Sequence, residues 1–241
     1  MISIVALHSL FVFGAMAAGQ TELRTYDPMS ISDMDLLASR LRPHVAHVTA
    51  VEKTPKGQPM APNPRDGFAI VLDKHHVAML SVILQNTESP KIHGPVGKPV
   101  DAKVVELDME KRVAILRTES DLSKQGLSGA SPSPHKTWKE GLSIFSILST
   151  IGEPAVMDML LTHTGNEDGY QDTPRLDRQL NHGMPVFDSQ ARFVGYSRAI
   201  LWDWDKQLIV PNQIVFGAFA KLKEKEAKAK ETDKSPPVKR P

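Results

Sequence analysis

Nine histidines and no cysteine set the chemistry open to this 241-residue chain. Without thiols there is no disulfide framework, no thiolate nucleophile and no cysteine-ligated zinc site. Imidazole takes up a proton near neutral pH and binds metals, so the histidines are the first residues to place. His44 and His47 have a ligand-like spacing, but in a strand, positions three apart face opposite sides of the sheet. His75 and His76 point apart unless a turn bends them together, and no carboxylate partner is expected for them. No metal or cofactor site is therefore expected. His182 stands in Leu-Asn-His-Gly-Met-Pro just ahead of an apolar run, where it could serve as a ligand or a proton-transfer group. Trp202 and Trp204 alternate in LWDWDK. They would share one strand face, as an apolar binding patch or as the cap of a sheet end.

Charge narrows the partners. The last 21 residues hold eight Lys/Arg and four Asp/Glu, a balance of +4, and the whole chain carries +1, so residues 1–220 carry −3. Aromatics make up 6% and are spread thinly. A basic face with interleaved aromatics is missing, and nucleic acid is set aside as a partner. Residues 2–17, ISIVALHSLFVFGAMA, are an apolar run followed by small residues up to Gly19. That pattern predicts a signal peptide over 1–19 and an exported protein, periplasmic or secreted. The segment before it lacks Lys and Arg, so an uncleaved membrane anchor is the alternative.

Any such residues must be positioned by the elements around them. Ile31, Met34, Leu37, Ala38 and Leu41 recur at helical spacing, with Ser30 or Ser32 as cap and Pro43 as stop. From there to about Val210 the chain breaks into strand-length apolar runs: 44–52, 67–73, 77–84, 100–107, 112–118, 142–149, 155–163, 184–188, 193–201 and 207–210. Loops rich in Pro, Gly and Ser fall at 57–67 and 126–141, the second a natural connection between two β lobes. Ile214, Val215, Ala218, Phe219 and Leu222 form a closing helical stripe after Asn212, a candidate cap. Residues 224–241 lack apolar anchors and read as a disordered basic tail. The expected domain therefore runs over 30–223, with lobes near 44–125 and 140–210.

The order LRPHVAHVTA, GFAIVLDKHHVAMLSVIL, AKVVELDMEKRVAILRT, LNHGMPVFDSQARFVGYSRA, LIVPNQIVFGAFAKL resembles the HtrA/DegP branch of the trypsin-like serine peptidases over roughly 35–222. The resemblance implies an all-β fold of two antiparallel β-barrels of trypsin/chymotrypsin type, with a short N-terminal helix, a C-terminal helix and a cleft between the barrels. It also implies where the chemistry should sit. The family's serine falls on His182, its histidine on Val82 and its orienting aspartate on Arg112. The oxyanion glycine falls on Leu180 and the second glycine after the serine on Met184, while Asn181 and Gly183 are retained. Val82 has no lone pair to accept a proton, and Arg112 is a permanent cation that cannot hold an imidazole.

The expectation is thus a pseudopeptidase, not an enzyme, that binds a peptide or an envelope or extracellular protein. His182, Asn181, Gly183, Trp202 and Trp204 are its binding candidates. The alternatives are a hydrolase with a rearranged site using Ser81, Ser189 or His182, and a histidine-based metal-binding protein.

Overall fold

A computed structural model of the protein describes residues 31–53, 63–134, 141–150, 155–162, 175–176, 180–200 and 203–233. Helix α1 (Ile31–Leu41) buries Leu37, Ala38 and Leu41, the stripe its spacing predicts, and a 3-10 turn at Arg42–His44 carrying Pro43 ends it. Proline has no N–H to continue the ladder, so the chain leaves the helix there in extended form.

The first half then contributes β1 (Val45–Glu52), β2 (Pro64–Val71), β3 (His76–Leu80), a one-turn helix α2 (Ser81–Leu84), β4 (Thr87–His93), β5 (Val100–Asp101), β6 (Lys103–Asp108) and β7 (Val113–Arg117). Their hydrogen-bonded order is β5-β4-β1-β2-β3-β7-β6, antiparallel throughout. The two ends of this order, β5 and β6, are neighbours in the chain with only Ala102 between them, so the sheet is strongly curled. Ala102 itself donates its N–H to the Pro90 carbonyl at 2.9 Å.

The second half contributes β8 (Ser143–Ser149), β9 (Ala155–Thr162), β10 (Arg175–Leu176), β11 (Pro185–Asp188), β12 (Phe193–Ile200) and β13 (Asp203–Pro211). Its order is β10-β13-β12-β11-β8-β9, and β9 pairs in turn with β10. Counting β5 and β6 as one interrupted strand, both halves follow the same succession of first, second, third, sixth, fifth and fourth strand. The chain is all-β in class.

Strand β3 explains why the sequence reads as a continuous apolar run there. Val77 and Met79 enter the core enclosed by the first sheet, while Ala78 and Leu80 enter a second core shared with the other half. A strand covered on both faces loses the polar alternation of a half-exposed one. The shared core holds Ile70, Val113 and Ile115 against Phe145, Phe187, Phe193 and Tyr196, and a third core lies within the second sheet around Ile144, Val186, Val194 and Ile209. Tyr196 links the halves by hydrogen bonds. Its hydroxyl accepts from the Ile70 N–H at 2.8 Å and donates to the Ala78 carbonyl.

Four expectations need correction. The run 77–84 is not one strand, because β3 stops at Leu80 and residues 81–84 turn into α2, held at the start by the Ser81 N–H on the Arg112 carbonyl at 3.0 Å. Strand β4 was not expected at all. It contains Pro90 and polar residues, and it is accommodated by a shift of register opposite Thr49–Val51 and by Ser89 at φ 52°. The run 207–210 begins earlier, at Asp203.

The closing helix α3 (Asn212–Asp233) continues past Lys223, where the tail was expected to start. Val215 and Leu222 anchor it in the shared core, and its later turns are held by ion pairs: Lys225 to Glu106 at 3.1 Å, and Glu226 to Arg117 at 3.5 Å. Residues 234–241 lie outside the described residues. Asn212 is buried and donates its side-chain amide to the Ser133 and Phe193 carbonyls at 2.9 and 2.8 Å, tying the helix start to the chain that connects the halves.

Candidate functional site

The residues singled out by their positions in the sequence come from three places in the chain, and α2 is where they meet. Ile83 of α2 is the pin. A Cβ added at Gly67 on β2 would lie 2.5 Å from the Ile83 Cδ1, and one added at Gly183 would lie 3.0 Å from the same atom. Gly183 also has φ +85°, a left-handed backbone that favours glycine. Any larger residue at 183 would push the turn away from α2.

That turn, Asn181–Met184, is fixed to β12 by four hydrogen bonds through Ser197. The Gly183 N–H donates to the Ser197 carbonyl at 2.9 Å, the Met184 N–H to Ser197 Oγ at 3.0 Å, the Ser197 N–H to the Met184 carbonyl at 2.8 Å, and Ser197 Oγ to the Asn181 carbonyl at 2.7 Å. Two backbone donors of the turn are therefore already occupied. Leu180 and Met184 flank it as buried side chains of the second core.

Arg112 reaches the same place from the β6–β7 turn, its carbonyl accepting the first N–H of α2. It holds φ 61°, unusual for a residue with a long side chain. Val82 sits on α2 with 40% of its surface exposed, a large apolar side chain open to solvent at this spot. His182 is half-buried. Burial lowers its pKa, and the positive charges of Arg112 and Arg198 push in the same direction. Arg198, on β12 beside Ser197 and only 6% exposed, was not foreseen. An arginine inside the apolar strand run FVGYSRAI is the signal that could have marked it.

Val82 lies within α2, Arg112 adjoins it through its carbonyl on the Ser81 N–H, and the turn of His182 adjoins it through Gly183 against Ile83. Asn181 is exposed beside them. Trp202 lies outside the described residues, and so does the side chain of Trp204 on β13. Ser81 is 1% exposed and its Oγ has no hydrogen-bond partner among the described residues, while Ser189 is exposed in the β11–β12 turn. No protein-family model and no curated protein matches this chain.

The other histidines take separate partners. His44 Nδ1 lies 3.1 Å from the Ser128 carbonyl, and His47 Nε2 lies 3.0 Å from Asp66 Oδ2. His93 Nε2 meets Thr49 Oγ1 at 2.8 Å, and burial followed by the charges of His47 and Lys91 lowers its pKa. The pair His75–His76 does have a carboxylate beside it, contrary to expectation. Asp73 Oδ1 lies 2.8 Å from His76 Nδ1 and accepts the backbone N–H of both histidines, and Glu226 approaches His76 from α3 at 3.5 Å. Lys223 at 2.9 Å from Asp73 and Arg117 at 3.5 Å from Glu226 already neutralise these carboxylates. Among the described residues no three His, Asp or Glu gather as metal ligands.

Chemically, the residues on the segments around α2 offer one imidazole, two guanidinium groups and an exposed apolar side chain. A peptidase needs a nucleophile, a base in hydrogen-bond reach of it, and an acid that orients the base. Val82 has no lone pair to accept a proton and Arg112 is a permanent cation.

Proposed function

We propose that this protein is a pseudopeptidase, a binding or scaffold module built on the two-barrel trypsin-like framework of the HtrA type. The observation that carries the reading is the meeting of His182, Arg112 and Val82 around α2, at the boundary between two halves of identical strand succession. The repeated order of first, second, third, sixth, fifth and fourth strand is what a duplicated six-stranded barrel requires, with β5 and β6 as one strand bent at Ala102. It supports the finer assignment of two barrels with a cleft between them. The apolar run at 2–17 supports the reading of residues 1–19 as an export leader, with a periplasmic or secreted protein whose partner is a peptide or an envelope or extracellular protein.

Hydrolysis through Ser81 is disfavoured by its burial, and Ser189 has no imidazole as a hydrogen-bond partner among the described residues. The test is incubation of the purified protein with unfolded casein and with a fluorophosphonate serine probe. No cleavage and no adduct are expected. Stoichiometric labelling of Ser81, Ser189 or any other serine would refute the reading.

A further inference from the structure

Strand β1 sends Ala46, Val48 and Ala50 into the core of the first sheet. His47 and Thr49 alternate with them and share the opposite face. In register, His47 stands across from His93 of β4 on one side and Phe68 of β2 on the other, and Thr49 stands across from Lys91 of β4 and Asp66 of β2. Directly opposed residues of an antiparallel pair project to one face, so the two imidazoles come together. Their ring centres lie 5.4 Å apart, with the planes tilted by 55°.

An oxygen atom orients each ring. His47 Nε2 lies 3.0 Å from Asp66 Oδ2, and His93 Nε2 lies 2.8 Å from Thr49 Oγ1. An ionised carboxylate only accepts, so His47 Nε2 carries the proton and the lone pair of the neutral ring is on Nδ1. That nitrogen is buried and has no hydrogen-bond partner among the described residues. The Thr49 hydroxyl can accept as well as donate, which lets His93 adopt the same tautomer. An oxygen acceptor on the outer N–H of an imidazole is the arrangement that fixes a metal-ligating ring and raises its basicity. Burial, followed by the charges of His47 and Lys91, lowers the His93 pKa, and the unprotonated ring is the form that a metal needs.

We infer that His47 and His93 form a two-imidazole site for a divalent transition-metal ion, with Asp66 and Thr49 as positioning residues. Two nitrogens about 2.0–2.1 Å from one tetrahedral ion put their ring centres about 5 Å apart, so the observed pair needs only a small rotation to close on an ion. Imidazole suits copper, nickel and zinc, and copper(II) binds most tightly in the divalent series. Magnesium and calcium take oxygen ligands, which two imidazoles do not supply. The remaining coordination positions go to water or to a donor that the ion brings with it, so the ion is an exchangeable one. The inference does not depend on the pseudopeptidase reading.

The experiment uses the full chain without an affinity tag, stripped with a chelator and titrated with copper(II). Electron paramagnetic resonance reads the ligands, and paramagnetic broadening of the histidine ring signals in NMR reads the place. One tight ion per chain, a spectrum with two nitrogen ligands, and broadening of His47 and His93 before any other imidazole are expected. Asp66→Asn should weaken the ion about tenfold, as loss of an outer oxygen partner does, while the melting temperature of the metal-free protein holds. His47→Gln and His93→Gln should each weaken it at least as much, and the double variant little further, because either change already removes the chelate. His75→Gln, in the β2–β3 turn, should change nothing. If His47→Gln does not fold, His93→Gln decides alone. A spectrum with one nitrogen ligand, first broadening at another imidazole, or an affinity unchanged in His93→Gln overturns the inference, and the serine-probe experiment still judges the pseudopeptidase reading by itself.

Discussion

Replacing Tyr196 with Phe removes one oxygen from the boundary between the two halves of the fold. The ring stays: its edge contact with Phe193, at 5.0 Å between centroids, does not involve the hydroxyl. What is lost is one acceptor for the Ile70 N–H and one donor to the Ala78 carbonyl, and Ile70, Ala78 and Tyr196 all have 0% exposure. A buried polar group left without a partner costs about 1–3 kcal/mol. The Ile70 N–H has a single hydrogen and bears that cost in full, whereas the carbonyl has a second lone pair and falls at the low end. The two together give about 2–4 kcal/mol, which for a domain of this size is about 5–15 °C in melting temperature. Urea unfolding followed by tryptophan fluorescence, together with calorimetry, measures both figures, and the urea slope should not change because the buried area does not. Burial also raises the Tyr196 pKa above the usual 10.0. The neutral phenol is therefore favoured in the fold, and its contribution is complete below pH 10 and declines above it as the unfolded chain ionises. The Phe variant should lack this alkaline component. A loss below about 0.5 kcal/mol would refute the reasoning, since surface-like substitutions fall in that range.

Burial pushes the Asp73 carboxyl upward, but the hydrogen bond from Lys223, the His75 N–H and His76 outweigh it and hold it at about 2 against an ordinary 3.8. A depressed acid contributes stability above its unfolded value that is lost as the pH falls towards its folded one, so Asp73→Asn should flatten the loss of urea midpoint between about pH 4 and pH 2; an unchanged acid limb would contradict it. The combined variant Val82→His, Arg112→Asp, His182→Ser, Leu180→Gly and Met184→Gly should gain fluorophosphonate reactivity at position 182, while each single change gains none, because nucleophile, base and orienter act as a unit. Leu180 and Met184 are core side chains whose removal leaves cavities, so a folded variant must be verified by its melting curve, and one that folds without reactivity would show that these positions do not form a working triad.

The alternation of short apolar runs was enough to place ten of the strand segments and both long helices, because side-chain period and turn residues are local properties of the chain. Proline and glycine marked most of the boundaries for the same reason. Strand β4 escaped notice because its stability comes from pairing with β1 and from a local shift of register, neither of which leaves an apolar pattern around Pro90. The extra turns of α3 escaped because Lys225 and Glu226 look like tail residues until Glu106 and Arg117 are brought opposite them. At the positions where the resemblance puts a base and its orienting acid, the sequence by itself shows a valine, Val82, and an arginine, Arg112. That burial and the charges of Arg112 and Arg198 lower the His182 pKa follows from segments about 70 and 16 residues away in the chain. Electrostatic fields depend on distance in space, and only the packing of α2 between the two sheets decides that distance.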